Sequence, residues 1–353
     1  MHKFVRYLIT EWRRLGLPFK DAAIVVAVSG GADSMSLLLA IDDLRQREKL
    51  DLRIVAAHFD HRLRHDSRTD LEFVSAFASE RKLELAHAEW HERSVGNLEQ
   101  NARRARYKFL LETAERLGAG HVLTAHTMND QAETVLMNLI RGSGPGGLAG
   151  IEAVSHLRPI EDREEDPEGE PFLPFPSADV LLVRPMLSWA MRKDTEGFCR
   201  QNSVEFCLDP MNEDINFRRV WIRKVLIPML AELNPKIVET LCQTAELQRR
   251  AFAPAREAGV KGSVNVAVTD DNGGGPLSVA KLREAGPEAA NDLVREWLRQ
   301  NRGGLRGIGA KHIDAIVNLA TTRKSGRVAE LPGSTVTKTG GMLYWRPRKA
   351  EKG

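Results

Sequence analysis

The chain has 353 residues, 42% of them hydrophobic, with 51 Lys/Arg against 48 Asp/Glu. This length supports two or three separate cores. No apolar run approaches the roughly 20 residues of a membrane span, and residues 1–20 mix charged and apolar positions without a signal-peptide core. The three cysteines, Cys199, Cys207 and Cys242, form no Cys-x-x-Cys pair and no disulfide framework. Membrane, secreted and disulfide-stapled classes are thereby set aside, and a cytoplasmic protein is expected. The net charge of +3 hides a split: from residue 218 onward there are 24 Lys/Arg and 13 Asp/Glu, a balance of +11, so the rest carries −8. A basic C-terminal third suits either a polyanion-binding module or solvated helix faces.

The β-branched run at residues 24–28 reads as a strand ending in Ser29-Gly30-Gly31-Ala32-Asp33-Ser34, with a helix over 34–46. Adjacent glycines permit a tight turn that brings backbone N–H groups against an anion. The helix adds its positive dipole end at the same place. The string is not the P-loop, which needs Gly-x-x-x-x-Gly-Lys-Ser/Thr. It is similar to the PP-loop of the N-type ATP pyrophosphatases, so all six residues are candidate nucleotide contacts.

Further strands are expected at 53–59, 83–90, 121–125 and 180–184, alternating with helices at 67–81, 98–117 and 131–140. This alternation predicts an α/β fold, a doubly wound, mostly parallel sheet, in which ligands sit at the carboxyl ends of strands. The motifs fall just beyond those ends. After the second strand come His58, His61, Arg64 and His65, for which a cationic rim around a nucleotide fits better than zinc. Asn97 can cap the helix that carries Arg103, Arg106 and Tyr107 on one face, where paired guanidinium forks suit phosphate or carboxylate. Asp130 and Glu133, at i and i+3 in a helix start, could hold a metal, recognise an amine, or simply complement the helix dipole. Gly142, Gly144 and Gly147 match Gly-x-Gly-x-x-Gly but follow a helix, so a loop beside Arg141 is expected instead of a dinucleotide fingerprint. Residues 161–170 hold seven acids and one Arg and read as a surface insertion.

Residues 198–216 lead out of the sheet. Helices follow at 221–233 and 237–253, then a Gly-rich break at 272–275, helices near 280–299 and 309–319, and a strand-and-turn tail over 327–345. The expected division is a catalytic domain over 1–217 and a basic, mainly helical region with a short β tail over 218–353.

Taken together, the segments 29–34, 58–64, 97–107, 125–134, 141–150, Arg184-Pro185-Met186-Leu187, Asp209-Pro210 through Arg223, and Ile227-Pro228 resemble the tRNA(Ile)-lysidine synthetases, in the same order. Asn129-Asp130 stands where that family has Asp-Asp, Met211-Asn212 replaces its Ser-Asn, and Arg219-Val220 its Arg-Asn. The resemblance implies ATP-dependent transfer of free L-lysine to C2 of the wobble cytidine in an isoleucine tRNA with a CAU anticodon. It implies that Asp33 binds Mg²⁺, that Asp130 and Glu133 receive lysine, and that Arg103 and Arg106 orient the base or the lysine. A homodimer is compatible with it. The competing expectations are a tRNA thiolase, a small-molecule amidating synthetase and a non-catalytic RNA-binding protein. The missing cysteine pair, the basic C-terminal third and the intact loop and acids weigh against them in turn.

Overall fold

The computed structural model describes residues 1–62, 67–90, 98–157, 180–207, 214–263, 275–284, 286–302, 304–305, 307–322 and 327–347. Arg64, Asn97, the acidic run 161–170, Asp209-Pro210 and Met211-Asn212 lie outside those residues.

Helix α1 (Lys3–Arg14) places Phe4, Val5, Leu8, Ile9 and Trp12 on one buried face, the i, i+4 stripe that its mixed sequence encodes. Strand β1 (Lys20–Ala27), helix α2 (Ala32–Gln46), strand β2 (Asp51–Asp60), helix α3 (Ser67–Glu80), strand β3 (Glu84–Glu89), helix α4 (Leu98–Leu117) and strand β4 (His121–Leu123) follow in strict alternation. Then come α5 (Met128–Ile140), the short α6 (Pro145–Leu148), β5 (Val154–His156), β6 (Leu181–Val183) and α7 (Arg192–Gln201).

The six strands form one sheet in the order β3-β2-β1-β4-β6-β5. All neighbours are parallel except β5, which runs antiparallel to β6 at the edge. The doubly wound parallel sheet is therefore as expected, and the antiparallel edge is an addition to it. Chain order reverses between β1 and β4, and α2 and α5 start from the carboxyl ends of those two strands. That crevice is where open α/β sheets bind ligands. One face of the sheet buries Ile24, Val26, Ile54 and Ala56 against α1, α2, α3 and α7, with Phe4 stacked on Phe198 at 4.5 Å. The other buries Val25, Ala57 and Val122 against Tyr107, Leu110 and Leu111 of α4.

Beyond the sheet, α8 (Arg218–Trp221), one π-helical turn (Ile222–Leu226) and α9 (Ile227–Leu233) form one helical run, and α10 (Ile237–Ser263) follows. The remaining described elements are β7 (Leu277–Ser278), α11 (Val279–Glu284), α12 (Gly286–Arg302), α13 (Ala310–Thr321), β8 (Val328–Leu331), β9 (Ser334–Thr339) and β10 (Met342–Pro347). The single helix expected near 280–299 is two, which meet at the Gly286-Pro287 step, where proline suits only a helix start.

The chain divides into two compact units. The first comprises the described residues of 1–137, 150–157 and 180–245, and holds the six-stranded sheet. The second comprises the described residues of 138–149 and 246–347. In it the antiparallel sheet β7-β10-β9-β8 packs Val336 and Leu343 against Val294, Leu298 and Ile316 of α12 and α13. No described helix is long and apolar enough to cross a membrane.

Candidate active site

The loop after β1 is organised by its own side chains. Ser29 N–H donates to Ser34 Oγ at 3.1 Å, and Ser34 Oγ donates to the Gly31 carbonyl at 3.0 Å. Gly30 has φ +84°, and an added Cβ would stand 3.2 Å from Cys207 Sγ, so only glycine fits there without strain. Gly31, by contrast, is extended at φ −73° and serves as N-cap of α2 with no side-chain cap. The first-turn N–H groups of α2 are thus left for a ligand. Ser29 is exposed, whereas Ser34 is buried and consumed in holding the loop.

Asp33, in the first turn of α2, accepts a hydrogen bond at Oδ1 from Thr195 Oγ1 at 2.5 Å, while Oδ2 lies 3.8 Å from Arg192 Nε. Burial pushes its carboxyl up to about 6, against the lowering effect of Thr195. Thr195 is fully buried in the first turn of α7, and its Oγ1 also lies 2.8 Å from the Arg192 carbonyl.

Arg192 links this corner to the acids on α5. Its Nη2 donates to Asp130 Oδ1 at 2.9 Å and its Nη1 to Glu133 Oε1 at 2.7 Å. Two further arginines converge from the helical run after the sheet. Arg219 Nε reaches Glu133 Oε2 at 2.9 Å, and Arg223 Nε reaches Glu133 Oε1 at 2.8 Å. Asp130 Oδ2 takes the Thr127 N–H at 2.8 Å and the Thr127 hydroxyl at 2.9 Å. The Glu133 side chain has no exposed surface. Burial alone would raise both carboxyls, but the guanidiniums outweigh it and hold Asp130 and Glu133 below the usual carboxylate range. The first turns of α2, α5 and α7 are thus tied into one network, with the Arg192 N–H also bonded to Asn129 Oδ1 at 3.1 Å.

Arg103 and Arg106 flank the Tyr107 ring, each guanidinium 5.4 Å from its centroid. Burial lowers Arg106, with Arg103 and Arg219 among the cations that act on it. His126 joins them. Thr124 Oγ1 lies 3.0 Å from its Nδ1, and burial, with Arg184, Arg219 and Arg103 around it, keeps the ring neutral.

His58 needs a correction as part of a cationic rim. It is 3% exposed, its Nδ1 lies 2.9 Å from the Val28 carbonyl, and burial lowers its pKa. A carbonyl only accepts, so Nδ1 carries the proton, and Nε2 is an acceptor with no partner among the described residues. The ring is neutral and braces the end of β2 against the end of β1. No group of three metal-ligating side chains forms among the described residues.

Sequence reasoning missed Arg192 and Thr195, and it placed Arg219 and Arg223 only in a matched segment without a role. The available signal was Arg219 and Arg223 at i and i+4, which share a helix face.

Comparison with known proteins shows the family. A family model described as a PP-loop domain matches residues 5–230, and one described as the TilS substrate binding domain matches residues 277–344. A tRNA(Ile)-lysidine synthase of Solibacter usitatus is 34% identical over 324 residues, 90% of this chain and 66% of that one. The Thermotoga maritima relative of the same name is 35% identical over 62% of this chain and 47% of its own. The chain thus spans about two thirds and about half of the length of these two relatives. For the one from Thermosynechococcus vestitus the identity is 32%, covering 92% of this chain and 84% of the relative. Among solved structures, a U34-tRNA thiolase from Methanococcus maripaludis superposes with a TM-score of 0.53 at 13% identity, over 70% of this chain and 79% of that one, a likeness of fold alone. With the PP-loop, the acid pair and the matched extent considered together, the chain belongs to the tRNA(Ile)-lysidine synthase family.

Proposed function

We propose that the protein ligates the ε-amine of free lysine to C2 of the wobble cytidine in a CAU-anticodon isoleucine tRNA, consuming ATP and releasing AMP and pyrophosphate. The observation that carries this reading is Arg192, which connects Asp33 beside the nucleotide loop to Asp130 and Glu133. A site for activating an oxygen and a site for receiving a cationic amine are thereby neighbours. In the first step the cytidine O2 attacks the α-phosphorus of ATP, an O–P bond forms, and pyrophosphate leaves. Developing charge on the phosphates is met by the free N–H groups of α2, with Ser29, Gly30, Gly31, Ala32 and Ser34 shaping the loop.

In the second step the lysine nitrogen bonds to C2, the C2–O bond breaks, and AMP departs. An ammonium is not a nucleophile and must lose a proton, which Asp130 or Glu133 takes once a guanidinium that holds that carboxyl low has been displaced. Both acids already hold guanidiniums, so the ammonium enters by replacing one of these cations. Arg103 and Arg106 orient the activated base or the lysine carboxylate. Asp33 fits Mg²⁺: it is a half-buried carboxyl with one oxygen committed to Thr195, and Mg²⁺ commonly takes one carboxylate plus substrate phosphates. That ion would neutralise phosphate charge.

The basic region from residue 218 onward is assigned to the tRNA backbone, in a cytoplasmic protein that can act as a homodimer. Sulfur transfer is disfavoured because a sulfur relay or an iron–sulfur cluster calls for paired cysteines, and the sequence has no Cys-x-x-Cys pair. The test is incubation with ATP, labelled lysine and a panel of tRNAs. Label is expected only in the CAU-anticodon isoleucine tRNA, with AMP released in equal amount. Label in other tRNAs, or AMP release that does not depend on lysine, would refute the assignment.

A further inference from the structure

The helical run from Arg218 to Leu233 has two unlike faces at its start. Inward, Arg219 and Arg223 bind Glu133, while Ile222 is buried against Leu136 and Met137. Outward, Phe217, Arg218 and Trp221 stand in solvent at i, i+1 and i+4, with Phe217 40% and Trp221 41% exposed. Large aromatics ordinarily bury most of their surface. Among the described residues the Trp221 indole N–H has no hydrogen-bond partner.

We infer that Phe217, Arg218 and Trp221 form a docking platform for unpaired RNA, on which a base next to the reacting nucleotide stacks. The inference rests on the proposed tRNA reaction and adds a binding surface to it. Charge selects the occupant. Arg218, Arg219, Arg223 and Lys224 fall within seven residues, and no acid occurs between Asp214 and Glu232, so the segment suits a polyanion more than an apolar protein groove. Geometry agrees with this choice. A cytidine must leave its stack to reach the nucleotide loop, and bases splayed from a loop are held on aromatic rings and guanidinium planes. The platform lies on the back of the helix whose other face supplies two arginines to the acid cluster, so the flanking nucleotide and the reacting one are served by one element.

The experiment compares full-length wild type, Trp221→Ala and Trp221→Phe for binding to a fluorescent CAU anticodon stem-loop and to a fully paired duplex of equal length. Base stacking on an aromatic contributes enough that its loss should weaken stem-loop binding about 5- to 150-fold. Trp221→Phe should retain most of the affinity, and duplex binding should be the same for all three proteins. With tRNA as substrate, Trp221→Ala should raise KM and leave kcat at saturation nearly unchanged.

Equal stem-loop affinity in wild type and Trp221→Ala overturns the platform. So does an equal loss for loop and duplex, which would mean unspecific electrostatics. A change of Trp221→Ala from dimer to monomer in sedimentation, with RNA binding intact, would show that a second copy covers this face and also overturns it. Lysine incorporation by the wild type is measured in parallel. If it occurs while the Trp221 variants bind alike, only the platform falls; if it does not occur, the functional reading falls first.

Discussion

Glu133→Gln is the sharpest probe of the acid–arginine cluster, because it preserves shape while removing one charge. Glu133 Oε1 accepts from Arg192 Nη1 at 2.7 Å and Arg223 Nε at 2.8 Å. Oε2 accepts from Arg219 Nε at 2.9 Å and Arg223 Nη2 at 3.3 Å. A glutamine leaves one of these positions as an NH₂ group aimed at guanidinium N–H, donor against donor. Three cations would then share Asp130 and the more distant Asp33. Breaking a buried pair by removing one partner costs about 3–5 kcal/mol, a large part of a total stability of about 5–15 kcal/mol. With a urea m-value of about 2 kcal/mol per M, the midpoint should fall by about 2 M. The loss should persist at high salt, since screening hardly reaches buried pairs. Urea unfolding followed by circular dichroism at low and high salt measures it. A loss below about 1 kcal/mol, the range of exposed pairs, would refute the view that Glu133 is held as a buried counter-ion. Lysine KM should be taken on the same variant at a temperature where it is folded, and a rise is expected from the amine site.

Asp33→Asn should change the pH dependence of stability. The folded carboxyl titrates at about 6 and the ordinary value is 3.8. Below about pH 4 both states of the wild type keep the proton and the residue contributes nothing. From about 4 to 6 the unfolded chain ionises first, so wild-type stability falls as pH rises, to a penalty of about 3 kcal/mol above that window. The variant should therefore be the more stable protein at pH 8 and equal to wild type at pH 4 by thermal unfolding without added metal; equal stability at both would refute the burial effect. Gly30→Ala should cost about 1–2 kcal/mol from positive φ alone and abolish ATP binding by calorimetry. Gly31→Ala should be milder, because its nearest neighbour is 3.6 Å away, and a reversed ranking would contradict the loop geometry. In the second unit Lys338 Nζ caps the end of α13 through the carbonyls of Ala320 at 2.8 Å and Thr322 at 2.6 Å. Lys338→Met should lower stability by about 1.5–3 kcal/mol, and no shift in thermal unfolding would count against that cap.

What could be read from the sequence was local. The loop at residues 29–34 is specified by neighbours in the chain, and Asp130 and Glu133 share a face by helix spacing. Their partners could not be found the same way. Glu133 meets Arg192, Arg219 and Arg223 across 59, 86 and 90 residues, separations that no periodicity encodes. His58 illustrates a signal that was present and not used. It continues the Ile54, Ala56 parity of β2, both buried on the α2 face of the sheet, and the period of two already placed it inside. The β5 edge strand is three residues long, too short to show alternation. The π-helical turn at 222–226 has no local signature, since residues of the same kinds occur in ordinary α-helices.

The first turns of α2, α5 and α7 meet at Asp33, Asp130 and Arg192, and each brings about half a positive charge from its peptide dipoles. Three guanidiniums balance three carboxylates there, so the backbone alone leaves the pocket positive by about one and a half charges. That excess cannot titrate, be acetylated or be removed by any single side-chain substitution. Under the proposed function, in which a cationic amine is held beside a polyphosphate, the site would keep a constant attraction for the anion, while its carboxylates exchange one cation for another.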